Sequence, residues 1–148
     1  MMNLVIREAE PSDASDLLRL YGQLASPGTE APSIEEAEIA LHDAQGAPWL
    51  HVLVAEIEGD VVGTATVAVV PSVAHERRPW GQIENVVVDE QHRLGGIGEA
   101  LVERCEAITR GAGGYKVQLV SSGHRKGAHA FYERIGFGPS FAAFRKYL

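Results

Sequence analysis

Cysteine is nearly missing from this chain: Cys105 stands alone in 148 residues, so no intramolecular disulfide can form, which fits a reducing compartment. No apolar run approaches the roughly 20 residues of a membrane helix. The opening Met1 to Ala9 carries Arg7 and Glu8 and does not read as a signal peptide. The expected location is therefore cytoplasmic, with no membrane partner. Basic charge is scarce, 13 Lys and Arg against 20 Asp and Glu, for a net charge of -7. That balance excludes a broad nucleic-acid or anionic-membrane surface, though one local anion site remains open. Repeats, low-complexity tracts and long linkers are absent. With 45% apolar and 22% charged residues, disorder, collagen and coiled coil are excluded. Residues 1–148 suffice for a single domain with a proper core.

Glycine and proline punctuate the pattern. Leu4-Val5-Ile6 reads as a strand, Pro11-Ser12-Asp13 as a helix start, and Leu17, Leu18, Tyr21 and Leu24 as one helical face that ends at Ser26-Pro27-Gly28. Ser33 and Glu36 have capping-box spacing ahead of a second helical face at Ile34, Ala37 and Leu41. Trp49 to Ile57 and Val61 to Val70, joined by Glu58-Gly59-Asp60, predict a hairpin. Pro71 to Pro79 is a polar loop, and Ile83 to Val88 a strand. Ile97, Leu101, Cys105 and Ile108 share a helical face that runs out at Gly111, Gly113 and Gly114. Lys116 to Val120 is a strand, Ala128 to Ile135 a helix and Phe141 to Tyr147 a last strand. A meander joined to a crossover unit is α+β, not doubly wound.

The most informative stretch is Val86 to Gly98, V-V-V-D-E-Q-H-R-L-G-G-I-G. An apolar strand runs into a glycine-rich loop that opens an amphipathic helix. The first N–H groups of a helix lack internal partners and sit at the positive end of its dipole. Glycines at 95, 96 and 98 let an anion approach that backbone, and Arg93 adds a forked positive charge. No P-loop string exists, and a dinucleotide fingerprint would need glycine where Leu101 sits. Taken alone, such glycines also make an ordinary tight turn.

Arg93-x-x-Gly96-x-Gly98 after a strand resembles the acetyl-coenzyme-A signature (Q/R-x-x-G-x-G/A) of the GNAT acetyltransferase superfamily. Ala128-His129-Ala130-Phe131-Tyr132-Glu133-Arg134-Ile135-Gly136-Phe137 resembles that family's A-x-x-F-Y-E-x-x-G-F motif. The order of elements matches over nearly the whole chain. The resemblance implies the GNAT fold, a central mixed and mostly antiparallel sheet flanked by helices. It implies acetyl-CoA as cosubstrate, its pyrophosphate on the amides of Arg93, Leu94, Gly95, Gly96, Ile97 and Gly98, and its pantetheine arm beside Val86, Val87 and Val88. Tyr132 falls where the family often has a tyrosine beside the coenzyme's sulfur. Two positions depart from the pattern: Leu94 replaces a small residue, and Arg125 stands where Asn is common as a pantetheine contact. The first two helices are where such enzymes shape the acceptor pocket, and dimers are common in the fold, so a homodimer is an expectation.

Acetyl transfer to an amine needs a neutral amine, a stabilised oxyanion and a proton for the departing thiolate. A thiol has a pKa of about 8.5 and a tyrosine about 10, so Tyr132 can supply that proton. Glu84 is the base expected from the residues. Simple strand alternation puts it on a face with Val86 and Val88, where apolar neighbours would raise its pKa; a water relay would serve equally. A main-chain N–H of Val86 to Val88 is the expected oxyanion donor. The bland alternatives are a solvent-facing strand glutamate and a tyrosine merely packed on its helix.

Six histidines prompt a metal hypothesis, but His75-Glu76 lacks the second histidine of H-E-x-x-H, and His124 and His129 are five apart, so no metal site is expected. Cys105 reads as an inert core thiol. Arg77, Arg78, His124 and Arg125 would bind an anionic part of the acceptor if they converge; scattered solvated charge is the simpler reading. Tyr21, Trp49 and Trp80 could line an acceptor pocket or belong to the core. The expected function is transfer of an acetyl group from acetyl-CoA to a primary amine, preferably of a small molecule. The alternatives are acetylation of a protein N-terminus or lysine, and a CoA-binding sensor without turnover.

Overall fold

The structure is a computed structural model and describes residues 2–24, 30–121, 125–139 and 141–148. The chain divides into two compact units, Met1–Gln118 and Leu119–Leu148. In the first, β1 (Leu4–Glu8) passes through a 3-10 turn at Pro11–Asp13 into α1 (Ala14–Gly22), followed by α2 (Ile34–Gln45). Next come β2 (Leu50–Ile57), β3 (Asp60–Val70) and β4 (Trp80–Val88), then α3 (Ile97–Gly111) and β5 (Val117–Leu119). The strands form one sheet in the order β1-β2-β3-β4-β5. The β1–β2, β2–β3 and β3–β4 pairs are antiparallel, and β5 is reached by the α3 crossover. This is the α+β, mostly antiparallel arrangement that the sequence predicts.

Local chemistry explains the starts and stops. Ser33 accepts from the Glu36 N–H at 3.1 Å while Glu36 accepts from the Ser33 N–H at 2.8 Å, the reciprocal cap predicted for α2. At the start of α1 the buried Asp13 carboxylate takes both arms of the Arg7 guanidinium, at 2.7 and 2.9 Å, and the Glu10 N–H at 2.8 Å. Arg7 first, and the Glu10 N–H with it, holds the Asp13 carboxyl below its usual 3.8. That pair fastens β1 to α1. The predicted end of the first helix at Ser26-Pro27-Gly28 lies outside the described residues, and α1 itself stops at Gly22.

Register assigns the two sheet faces. Val54, Thr64 and Val87 lie across from one another, with Val52 two residues before Val54, on the face covered by α1 and α2, where Leu17, Leu20 and Leu41 complete a buried cluster. Gly63, Val67, Ile83 and Gly81 face α3. A Cβ on Gly63 would stand 3.2 Å from the side chains of Ile97 and Leu101. β4 begins three residues earlier than Ile83, and Gly81 shows why its start escapes the sequence. A side chain there would come within 2.2 Å of Thr109 Oγ1, so glycine interrupts the strand pattern where α3 crowds the sheet.

In the second unit, α4 (Lys126–Arg134) is present as expected, but Phe141 to Tyr147 forms no strand. Phe141, Phe144 and Tyr147 are exposed. They recur every three residues, whereas a strand face repeats every two.

Gly81→Ala should lower stability by about 1–3 kcal/mol through overpacking. Urea unfolding checks this, and Thr109→Ala in the same chain, by removing the obstructing hydroxyl and methyl, should restore most of the loss.

Candidate functional site

The site begins with an irregularity in β4. Thr64 pairs with Val87 and Thr66 with Glu84, so β4 holds one residue more than β3 between these pairs. That is a β-bulge, and Asn85 makes it by taking φ +53°. Asparagine is among the few side chains that tolerate this conformation. The bulge overturns the facing expected for Glu84. Glu84 shares a face with Val87 and Thr66, toward the α1 and α2 side, while Val88 pairs with Gly63 on the other face. Glu84 is exposed rather than set among apolar strand residues. Its carboxylate accepts from Gln82 Nε2 at 3.1 Å, and Gln82 Oε1 accepts from Gln118 Nε2 of β5 at 3.1 Å. A two-amide chain from the neighbouring strand therefore orients the carboxylate. Tyr21 of α1 reaches the same face. Burial pushes its phenol up, and hydrogen bonds with Thr64 and Thr66 oppose that shift.

Beyond Val88 the chain makes a 3-10 turn at Glu90–His92, then Arg93 to Gly96 lead into α3. Gly96 caps α3 with φ +76°, a left-handed conformation that costs glycine nothing, and the first helical bond runs from Ala100 N to Gly96 O at 3.0 Å. Leu94 is also left-handed, at φ +71°, with its side chain 106% exposed. The departure from a small residue is thus met by turning the side chain outward. Arg93 is exposed and donates through Nε to the Val88 carbonyl at 3.4 Å. The glycine loop, the exposed guanidinium and the N-terminus of a 15-residue helix are the parts of an anion cradle. They fit a diphosphate.

In α4, Phe137 N–H donates to Tyr132 O at 2.9 Å and Gly136 N–H to Glu133 O at 3.1 Å, with Gly136 at φ +103°. These two bonds are a Schellman motif, and the edge-on contact of Phe137 with Tyr132, centroids 5.7 Å apart, is its usual apolar partner. Gly-Phe at the end of the second motif therefore sets an aromatic ring against Tyr132, which is 8% exposed. Arg125 is exposed at the N-cap of α4.

Of the suggested anion quartet, Arg77 and Arg78 are both exposed. Arg78 spends its guanidinium on the carbonyls of Gly113 and Gly114, both at 3.2 Å, which ties the β3–β4 loop to the end of α3. His124 lies outside the described residues. Trp80 is half-buried with Lys116 Nζ 5.5 Å from its ring centre, and Trp49 is exposed. On the α2 side of β2 a cavity of about 330 Å³ is bordered by Glu8, Leu41, His51 and Val52, and none of the predicted site residues lines it. Among the described residues no three His, Cys, Asp or Glu side chains form a metal cluster, and no helix is long and apolar enough to cross a membrane.

A strand broken by a bulge, a glycine turn and the N-terminus of α3 thus follow one another along the chain. Residues 15–137 match the acetyltransferase (GNAT) family, and the chain belongs to it. The family draws its acetyl group from acetyl-CoA. The chain is 38% identical over 141 residues to the glucosamine 6-phosphate N-acetyltransferase of Trypanosoma brucei brucei, covering 93% of this chain and 90% of that one. It is 33% identical over 134 residues to the aminoglycoside N(6')-acetyltransferase type 1 of Stenotrophomonas maltophilia, covering 89% and 84%. The crystal structure of the glucosamine-6-phosphate N-acetyltransferase of Arabidopsis thaliana superposes with a TM-score of 0.85 at 28% identity, over 98% of each chain.

Cys105 is fully buried, and burial, with Glu106 adding to it, pushes its thiol up to about 12. A thiol-specific chromophore at pH 8 should therefore find no reactive cysteine in the folded protein and one after denaturation.

Proposed function

We propose that this protein transfers the acetyl group of acetyl-CoA to the primary amine of a small molecule, with amino sugars the first class to test. The bulge at Asn85 carries the reading. It interrupts regular pairing a few residues before the glycine loop, and a main-chain N–H of Val86 to Val88 would serve as oxyanion donor. The names of the relatives, glucosamine 6-phosphate and aminoglycoside acetyltransferases, support an amino-sugar acceptor.

Acetyl-CoA supplies an activated thioester. The amides of Arg93 to Gly98 would hold its pyrophosphate, with Arg93 balancing the charge, and Val86 to Val88 would run beside the pantetheine. Arg125 would add a cation at the start of α4. Glu84, exposed and oriented by Gln82, would take a proton from an incoming ammonium, directly or through water. The amine nitrogen would then form a bond to the acyl carbon as the carbon–sulfur bond breaks, and its second surplus proton would pass to solvent. Tyr132 gives its proton to the departing sulfur and recovers one from solvent. A homodimer is part of this proposal, as is a cytoplasmic setting.

Incubation with acetyl-CoA and an amino-sugar panel should release free thiol only when an amine is present. Coenzyme binding without amine-dependent thiol would make the protein a sensor, and mass gain on peptides alone would make it a protein acetyltransferase. Tyr132→Phe should lower kcat by about 100-fold, the scale of general-acid catalysis, with little change in coenzyme affinity; an unaltered kcat removes the acid role. Glu84→Gln should displace the alkaline-rising limb of the kcat/KM profile, and superimposable profiles would dismiss Glu84 as base.

A further inference from the structure

The turn that feeds the anion cradle carries two acidic residues, Asp89 and Glu90, between Val88 and Arg93. An uncompensated carboxylate here would repel a diphosphate, and the chain is already at -7. Asp89 is compensated from 70 residues away. One carboxylate oxygen receives the guanidinium of Arg19, and the other receives the Gln91 N–H at 3.0 Å. The Gln91 N–H and Arg19 together hold the Asp89 carboxyl below its usual range, and its side chain is 14% exposed.

Arg19 belongs to α1 and is itself held at three points. It donates to the Val61 carbonyl at 2.7 Å, pairs with Asp16 at 3.3 Å and meets Asp89. At the C-cap of α1, one turn beyond Arg19, Gln23 Oε1 accepts from the Glu90 N–H at 3.1 Å. Residues four apart share a helix face, so one side of α1 grips the first two residues of the loop. Asp89 N–H donates to the Val62 carbonyl at 2.8 Å, which joins the same turn to β3.

We propose that Arg19 is a positioning residue for the coenzyme: it cancels the Asp89 charge at the entrance to the diphosphate cradle. This rests on the coenzyme reading given above. Arg19 touches neither coenzyme nor acceptor in this role and acts through Asp89. Its removal differs from a simple loss of packing because the harm comes from the carboxylate left behind, so removing that carboxylate as well should undo it.

Titration calorimetry with CoA on the full chain tests this, using wild type, Arg19→Met, Asp89→Asn and the double variant. Arg19→Met should raise the Kd about tenfold, and the penalty should shrink as salt is added. Asp89→Asn keeps an acceptor for the Gln91 N–H and should shift the Kd by less than about threefold, and the double variant should return to within about threefold of wild type. A double variant as weak as Arg19→Met alone overturns the proposal, as does Arg19→Met binding like wild type. Wild type that failed to bind CoA would instead overturn the coenzyme reading, and this inference with it. Arg19→Gln keeps a donor for the Val61 carbonyl and gives the same comparison if the Met variant does not fold.

Discussion

The extra residue in β4 is the constraint on which the rest of the molecule depends. In a regular ladder kept in register at Thr64 and Val87, Glu84 would fall opposite Val67, on the face packed by α3. Val67 and Ile83 are buried there. A carboxylate pressed into that layer without a partner would cost several kcal/mol or be forced to protonate. The left-handed Asn85 avoids this for about 1–2 kcal/mol of backbone strain. It sends Glu84 to the α1 and α2 side while Ile83 stays in the core. The same dislocation interrupts pairing just where the strand approaches the glycine loop, so the strain falls at the site rather than in the body of the sheet.

Sequence reasoning succeeds where one local rule acts alone. The capping box of α2, the hairpin of β2 and β3 and the glycine entry to α3 each depend on neighbours within a few residues, and each is visible in the letters. The bulge is not, because Val86-Val87-Val88 reads as an unbroken strand. Its one mark is Asn85, a residue that tolerates a positive φ amid β-branched neighbours. Gly81 hides the start of β4 because the reason for it, Thr109, lies 28 residues further on. The tie between Arg19 and Asp89 leaves no local pattern at all. At the other end of the chain, aromatic residues suggest a strand by type but contradict it by spacing.

The second motif shows how a family pattern acquires a physical meaning. Gly136 and Phe137 look like punctuation after a helix. In the fold they close the last turn of α4 and bring an aromatic ring against Tyr132. Glycine is needed for its dihedral angle and phenylalanine for its ring, which packs edge-on against the tyrosine.

The two faces of β4 answer to different helical layers. Changes at Glu84 or at its partner Thr66 are felt on the α1 and α2 side, whereas changes at Gly81 or Ile83 are felt by α3. A substitution on one face can therefore be absorbed by α1 and α2 while the packing of α3 is left alone, and a single strand serves as the border between two separately packed layers.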